Sequence, residues 1–267
     1  MTRIGRMFDN LKRDGRKAFV AYLTAGDPSP DRTASLVEAL VRGGADLIEL
    51  GVPFSDPIAD GPVIQRAGDR ALKAGTSLKI VLDIAVQIRR QSEVPLLLFT
   101  YLNPVMRYGL ERLAHDAAAA GIDGCLLTDA SVEEAHEYVG AMHRHGLDTV
   151  FLAAPTSTER RLKLVAQYST GFVYLVSRTG VTGVQESLSS KVAPLVRDIR
   201  AVTDLPLVVG FGVSKPEHVA ELGGQVEGVA VGSAIVRCIE QNADNASLEI
   251  QLESLIRELK HGFGAHA

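Results

Sequence analysis

The segment that decides the fold is Ala45-Asp46-Leu47-Ile48-Glu49-Leu50, which runs into the loop Gly51-Val52-Pro53-Phe54-Ser55-Asp56-Pro57-Ile58-Ala59-Asp60-Gly61-Pro62. Its apolar residues predict a short buried strand, and the glycines and prolines that follow predict where the strand ends. Glu49 stands inside this strand, and burying an ionised carboxylate is costly unless water, a partner or a substrate meets it. A carboxylate near a strand end is therefore typical of the mouth of a parallel barrel, where ligands bind.

The composition is that of one ordinary globular domain. The chain has 267 residues without a linker-like tract, so we interpret residues 1–267 as a single domain. Hydrophobic residues make up 46% and charged residues 22%, which excludes disorder. The net charge of -4 gives no basic footprint for nucleic acid. No run approaches the roughly 20 apolar residues of a membrane span, so neither nucleic acid nor membrane is expected as a partner.

Strand-like apolar runs alternate with helical patterns along the chain. The predicted strands are Ala18 to Leu23, Asp46 to Leu50, Pro95 to Tyr101, Gly124 to Leu127, Thr149 to Ala153, Phe172 to Val176, Pro206 to Gly210 and Gly228 to Val231. Predicted helices begin near Asp31, Ser77, Gly109, Ser131 (a capping box with Glu134), Thr158, Ser189, Lys215 and Ser233, and a last one covers Ala246 to Lys260. This α/β pattern predicts a (β/α)8 TIM barrel. An open doubly wound sheet is the alternative, although Thr24-Ala25-Gly26-Asp27-Pro28 lacks the dinucleotide fingerprint.

The two ends of the chain and its two cysteines complete the predicted organisation. Residues 1–16 are predicted to form an amphipathic helix that caps one end of the barrel, and residues 262–267 a flexible tail. The apolar side of that helix consists of Ile4, Met7, Phe8 and Leu11. Cys125 is assigned to a strand and Cys238 to a helix, far apart in sequence. A disulfide framework is therefore not expected, and a reducing cytoplasm fits this usage.

Three glycine-bearing segments follow the sixth, seventh and eighth predicted strands: Ser177 to Gly183, Gly210 to Ser214, and Gly232 to Ala234. Glycine lets the main chain approach an anion closely, and a helix beginning at Ser233 adds its dipole. Tight turns would use the same glycines, but three segments at one end of a barrel favour a phosphate site. The long segment 177–189 is predicted to be a mobile lid.

Glu49 and Asp60 form the candidate catalytic pair. By the two-residue period of a strand, Glu49 shares the face of Leu47 and points into the barrel. The alternatives are a structural ion pair for Glu49 and an ordinary turn role for Asp60 or Asp56. Two carboxylates in different surroundings suit acid–base chemistry.

The segments as a set resemble those of the tryptophan synthase alpha chain family. The resemblance rests on Leu50 to Pro57 and Ala59 to Pro62, and on further segments that occur in the same order over nearly the whole chain. These are Thr24 to Pro28, Tyr101 to Val105, Ser177 to Gly183, Gly210 to Ser214 and Gly232 to Val236.

The resemblance implies a lyase that cleaves indole-3-glycerol phosphate to indole and glyceraldehyde 3-phosphate. It implies no cofactor or metal in this chain and a beta-chain partner that holds pyridoxal phosphate, in an alpha2beta2 assembly in the cytoplasm. Indole passes to that partner, which makes tryptophan from serine. Two further alternatives stay open: a free-standing indole-3-glycerol-phosphate lyase and a catalytically idle subunit that only activates its partner. A Schiff-base or metal aldolase is less consistent with lysines and histidines placed on helices, loops and the tail.

The resemblance also implies roles for individual residues. Glu49 matches the general acid/base and Asp60 the second catalytic carboxylate. Phosphate-binding positions are Gly183, Gly212, Gly232 and Ser233, pocket positions are Tyr174, Phe211, Tyr22, Phe99 and Asp129, and the lid position is Thr182. The loops expected to contact the partner carry Pro53, Phe54, Asp56, Pro57, Asn103 and Pro104.

One segment departs from the family pattern. The chain has Thr128-Asp129-Ala130-Ser131 where the family usually carries Pro-Asp-Leu-Pro. Asp129 is kept, but two prolines that stiffen the loop are absent. We therefore expect the departure to affect partner-facing geometry rather than cleavage.

Overall fold

A parallel sheet surrounded by helices makes up the fold, and a computed structural model describes residues 1–176, 188–210 and 212–264. The strands are β1 (Ala18–Thr24), β2 (Leu47–Gly51), β3 (Leu96–Thr100), β4 (Gly124–Leu127), β5 (Asp148–Val150), β6 (Leu152–Ala153), β7 (Val173–Val176), β8 (Leu207–Gly210) and β9 (Gly228–Val231). The helices are α1 (Arg3–Arg13), α2 (Pro30–Gly43), α3 (Pro62–Lys73), α4 (Leu78–Arg89), α5 (Leu102–Tyr108), α6 (Leu110–Ala119), α7 (His136–Arg144), α8 (Glu159–Tyr168), α9 (Leu188–Arg200), α10 (Pro216–Gly223), α11 (Ser233–Gln241) and α12 (Leu248–Lys260).

The sheet closes on itself. Within the described residues the strand order is β5-β4-β3-β2-β1-β9-β8-β7-β6, and every pair is parallel. The end pieces β5 and β6 flank Phe151, whose carbonyl accepts a hydrogen bond from the Tyr174 N–H at 3.1 Å. The Thr149 carbonyl likewise accepts one from the Thr170 N–H at 2.9 Å. β5 and β6 are thus two parts of one barrel strand, which confirms the (β/α)8 prediction and excludes the open sheet.

Successive residues of each strand belong to two different apolar clusters, because side chains alternate between the two faces of a strand. One cluster lies between the strands and the surrounding helices. The other fills the barrel interior and includes Val20, Tyr22, Leu47, Leu97, Phe99, Leu126, Val150, Phe172, Tyr174, Val208 and Ala230. Glu49 has the parity of Leu47, so its side chain belongs to the interior.

Helix α1 covers the amino-terminal end of the barrel. Ile4, Phe8 and Leu11 are buried and belong to the interior cluster, and the ring of Phe8 lies 5.8 Å from that of Phe172. Arg3 donates to Asp123, at the start of β4, at 3.1 Å. The helix therefore closes the end of the barrel opposite to the carboxyl ends of the strands, as the sequence predicts.

Two helices were not predicted from the sequence, and one predicted cap is wrong. α3 follows the loop 51–61, whose prolines and glycines obscure the helical period. α5 is only seven residues long, follows β3 almost directly and contains Pro104. The Ser131 side chain makes no cap bond; its hydroxyl donates to Glu133 at 2.5 Å, and residues 132–134 form a single 3-10 turn before α7. Ser77 and Thr158 do cap their helices through side-chain oxygens.

In the part of the chain that the structure describes, no helix is both long and apolar enough to cross a membrane. Cys125 lies buried in β4 and Cys238 in α11, each with a free thiol.

The packing of α1 against the barrel interior can be tested by mutation. Phe8→Ala removes a buried ring from the interior cluster, so we expect it to lower the free energy of unfolding by about 3 kcal/mol. Chemical denaturation measures this change. Arg6→Ala, at an exposed position of the same helix, is the control and is expected to stay within about 0.5 kcal/mol of wild type. Equal stability of the two variants would contradict the packing of α1 in the barrel interior.

Candidate active site

Glu49 lies in the interior of the barrel, on the third residue of β2. Its register partners are Tyr22 on β1 and Leu97 on β3, both members of the interior cluster. Only 1% of its surface is exposed. Two residues later Gly51 ends the strand, so the carboxyl group sits just below the carboxyl-terminal rim.

The surroundings of Glu49 favour its neutral form. Its Oε1 atom finds no hydrogen-bond partner among the described residues. Burial in this apolar setting raises the pKa of Glu49 to about 8, because a charge there has lost its hydration. The side chain is therefore mostly protonated at neutral pH and has an unused hydrogen-bonding atom inside the cavity.

Aromatic side chains line the space beside Glu49. The Tyr22 and Phe99 rings meet edge to face at 5.3 Å, and Phe99 lies 6.5 Å from Tyr174. The two tyrosine hydroxyls rest over Gly51 and Gly210; a Cβ there would come within 2.2 and 1.9 Å of them, respectively. The absence of a side chain at Gly51 and Gly210 thus leaves the space that the hydroxyl ends of these two tyrosines occupy.

Asp60 reaches the same space from the loop that joins β2 to α3. It is partly buried, and its carboxylate lies close to the Tyr101 hydroxyl, which accepts a hydrogen bond from the preceding Ala59 N–H at 3.1 Å. Burial raises the pKa of Asp60 to about 6, while the nearby Tyr101 hydroxyl acts in the opposite direction. Burial also raises the pKa of Tyr22, and the negative charges of Asp60 and Glu49 raise it further. Asp60 and Glu49 therefore both lie near enough to Tyr22 to affect its pKa, so the structure places the two predicted carboxyl groups on the same pocket.

The predicted phosphate positions that the structure describes lie at the same rim. Gly232 precedes α11, and its carbonyl accepts the first helical hydrogen bond, from the Val236 N–H at 3.0 Å. The N–H groups of the first turn, beginning at Ser233, have no partner within the helix and can bind an anion. A Cβ on Gly232 would lie 3.4 Å from Tyr22, so this helix start borders the pocket. Gly212, with φ of 90°, follows β8 at the same end.

An ion-pair network anchors the two helices that border the site. Arg70 on α3 donates to Asp27 at 2.7 and 2.8 Å and to Glu240 on α11 at 2.8 Å. Arg66 on α3 also pairs with Glu240, at 2.7 and 2.8 Å. Because α3 begins just after Asp60 and α11 begins at the phosphate positions, the network fixes one helix relative to the other.

Asp129 lies outside the barrel interior. It is exposed, and its Oδ1 accepts a hydrogen bond from the Leu102 N–H at 2.7 Å, at the first residue of α5. The structure thus places Asp129 in the loop after β4, on the rim, where its carboxylate binds the first N–H of α5.

The loops expected to meet a partner are only partly buried. Asp56 and Asn103 are exposed, Phe54, Pro57 and Pro104 are partly exposed, and Pro53 is buried. Large apolar side chains next to them also face outward: Ile58 is 84% exposed and Met106 63%. These residues give the rim beside the site an uncovered apolar surface.

Several predicted positions lie outside the described residues. These are Thr182 and Gly183 in the predicted lid, Phe211 after β8, and the last three residues of the predicted tail.

Tyr101 is the site residue that the sequence reasoning missed. It follows β3 and is 3% exposed, and its hydroxyl meets the Asp60 loop. An aromatic residue directly after an apolar strand was the available signal, but the same signal fits ordinary core.

Among the described residues, no group of His, Cys, Asp and Glu side chains has an arrangement suited to a metal ion. The groups that the geometry brings to the site are two carboxyl groups and a set of backbone N–H groups.

Comparison with known proteins agrees with this geometry. The sequence model of the family described as "Tryptophan synthase alpha chain" matches residues 8–263. A tryptophan synthase alpha chain from Solibacter usitatus is 79% identical over 267 residues, with full coverage of both chains. One from Geotalea uraniireducens is 48% identical, with 99% of each chain covered. The crystal structure of tryptophan synthase subunit alpha from Legionella pneumophila covers 99% of each chain at 35% identity and a TM-score of 0.91. The chain therefore belongs to the tryptophan synthase alpha chain family.

Proposed function

We propose that this chain cleaves indole-3-glycerol phosphate to indole and glyceraldehyde 3-phosphate, with Glu49 as the proton donor and acceptor. The observation that carries the proposal is the buried Glu49 carboxyl, whose Oε1 lacks a partner among the described residues. It lies at the same rim as the free N–H groups at the start of α11. A substrate with a phosphate at one end and an indole at the other would engage both.

The reaction needs one proton to move across the breaking bond. Neutral Glu49 gives its proton to ring carbon C3, and the resulting carboxylate takes the proton of the adjacent glycerol hydroxyl. The carbon–carbon bond breaks, its electron pair stays with indole, and the hydroxyl carbon becomes the aldehyde. Glu49 ends in its starting state, and a pKa of about 8 suits an acid and base of this kind near neutral pH.

Asp60 supports the same step by its charge. Protonation at C3 spreads positive charge toward the indole nitrogen, and an ionised carboxylate beside that N–H stabilises it. With a pKa of about 6, Asp60 is ionised at neutral pH while Glu49 is mostly neutral. The two carboxyls thus take different roles because their surroundings differ.

The remaining pocket positions orient the substrate in the proposal. Tyr22, Phe99 and Tyr174 form an apolar wall for the indole ring, and α11 and Gly212 hold the phosphate. Gly183, Phe211 and Thr182 keep the phosphate, pocket and lid roles that the family resemblance gives them. Asp129 has an indirect role in the proposal: its carboxylate holds the first N–H of α5 at the rim of the barrel.

The proposed partner is a tryptophan synthase beta chain that carries pyridoxal phosphate, in an alpha2beta2 complex in the cytoplasm. The exposed apolar surface beside the site, with Ile58 at 84% and Met106 at 63%, supports a covering protein. A solved relative is titled tryptophan synthase from M. tuberculosis, aminoacrylate-bound form; its matching chain is 35% identical, with a TM-score of 0.88. The same surface argues against a free-standing lyase, and the carboxyl pair argues against an idle subunit.

Replacing the proton donor is the first test. We expect Glu49→Gln to lower the rate of indole release at least about a hundredfold, because the amide cannot deliver the proton. Binding of glycerol 3-phosphate, measured by calorimetry, should stay within about threefold. Glu133→Gln, an exposed carboxylate near the rim, is the control and should keep the wild-type rate. Normal turnover by Glu49→Gln would refute the assignment.

The pH profile is the second test. We expect kcat/KM for cleavage to rise through about pH 6, as Asp60 ionises, and to fall above about pH 8, as Glu49 loses its proton. Steady-state assays over this range measure both limbs. A rate that keeps climbing well above pH 8 would show that neutral Glu49 is not the proton donor.

The partner surface is the third test. We expect Met106→Asp to weaken binding to the beta chain roughly tenfold or more, because it places a charge in an apolar contact. Titration with the beta chain measures the affinity. Ile250→Asp is the matched control: Ile250 is 66% exposed, on α12. Equal affinities of the two variants would exclude the α5 surface as the interface.

A further inference from the structure

Tyr101 joins three parts of the molecule that are distant in sequence. It directly follows β3 and is the residue from which α5 starts. It is 3% exposed, and its ring lies 5.3 Å from that of Phe54, in the loop between β2 and α3. The ring is thus fixed by the barrel on one side and by the Asp60 loop on the other.

The hydroxyl of Tyr101 makes two contacts to that loop. It accepts a hydrogen bond from the Ala59 N–H at 3.1 Å. It also lies close enough to the Asp60 carboxylate and to the Thr128 side chain, after β4, to interact with both. Because a phenol has one proton and two lone pairs, accepting from Ala59 leaves its proton for Asp60.

These contacts act on a loop that has few other constraints near Asp60. The neighbours Ser55, Asp56, Ile58 and Ala59 are all exposed. The backbone bonds around them are short-range, such as that of the Asp60 N–H to the Pro57 carbonyl at 3.0 Å. Gln65 on α3 also donates to the Asp60 carbonyl, at 2.9 Å. Tyr101 is thus the buried residue that connects the Asp60 loop directly to the barrel strands.

We propose that Tyr101 is a positioning residue for the cleavage reaction: its hydroxyl, bound by the Ala59 N–H, holds the loop so that the Asp60 carboxylate lies at the pocket. The inference rests on the proposed function and extends it to a residue outside the carboxyl pair. A hydroxyl donor close to a carboxylate favours the charged form. The Tyr101 hydroxyl accordingly opposes the effect of burial on the pKa of Asp60.

The test is Tyr101→Phe, which removes the hydroxyl and keeps the ring against Phe54. We expect kcat for indole release to fall roughly tenfold with KM within about twofold, since the lost contact acts in the transition state. Without the hydroxyl the pKa of Asp60 rises, so the acidic limb of the pH profile should move to higher pH. The activity relative to wild type should therefore be lowest at low pH.

A second measurement does not depend on turnover. Carboxyl carbon-13 chemical shifts, assigned with Asp60→Asn, report the titration of Asp60 directly, and we expect it at higher pH in Tyr101→Phe than in wild type. Tyr138→Phe is the matched control, because Tyr138 is also buried and its hydroxyl donates to the Cys125 carbonyl at 2.7 Å, away from the site. It should shift neither the titration nor the pH limb.

The outcomes separate the two claims. An unchanged Asp60 titration together with a wild-type pH limb in Tyr101→Phe would overturn this inference and leave the carboxyl pair in place. The same loss of activity in Tyr138→Phe would also overturn it, since the effect would then be general destabilisation. Absence of indole release by the wild-type chain, with and without a beta chain, would overturn the proposed function and with it the catalytic role of Tyr101.

Discussion

The burial of one carboxyl group is the constraint on which the rest of the site depends. Glu49 is 1% exposed inside a barrel of apolar side chains, and its Oε1 finds no partner among the described residues. Such a group weakens the folded state, because holding the carboxyl in its protonated form at neutral pH and leaving a hydrogen bond unmade both cost free energy. The apolar packing of the barrel and of α1 offsets that cost. In return, the protein keeps an acid whose pKa is close to neutrality.

The two carboxyl groups lie on different kinds of structure. Glu49, Tyr22 and the start of α11 belong to strands or to a helix held by the closed sheet and by the Arg70 ion pairs. Asp60 lies on a loop whose neighbours are exposed. This division matches the chemistry: the proton donor must stay buried, while the second carboxylate must admit a substrate and then meet it. A contact from the barrel to the loop, such as that of Tyr101, reconciles the two demands.

Much of this arrangement was predictable from local sequence. A polar residue in an apolar strand, with the parity of Leu47, predicted that Glu49 faces the interior, and the strand–helix alternation predicted the barrel. The role of Tyr101 could not be predicted, because it depends on a contact between the Asp60 loop and a residue 42 positions after Ala59 in the sequence. α3 was missed because Pro62 resembles a loop residue although it begins the helix. The contact of Asp129, in the loop after β4, could not be predicted either, because its carboxylate accepts a tertiary hydrogen bond from the Leu102 N–H at the start of α5.

The most direct test is a crystal structure of the Glu49→Gln variant with indole-3-glycerol phosphate bound. The expected result places the phosphate on the N–H groups at the start of α11. The amide of residue 49 should lie within hydrogen-bonding distance of the reacting glycerol hydroxyl, with Asp60 beside the ring nitrogen. A phosphate bound at the opposite end of the barrel, or a substrate whose reacting carbons lie far from residue 49, would contradict the account.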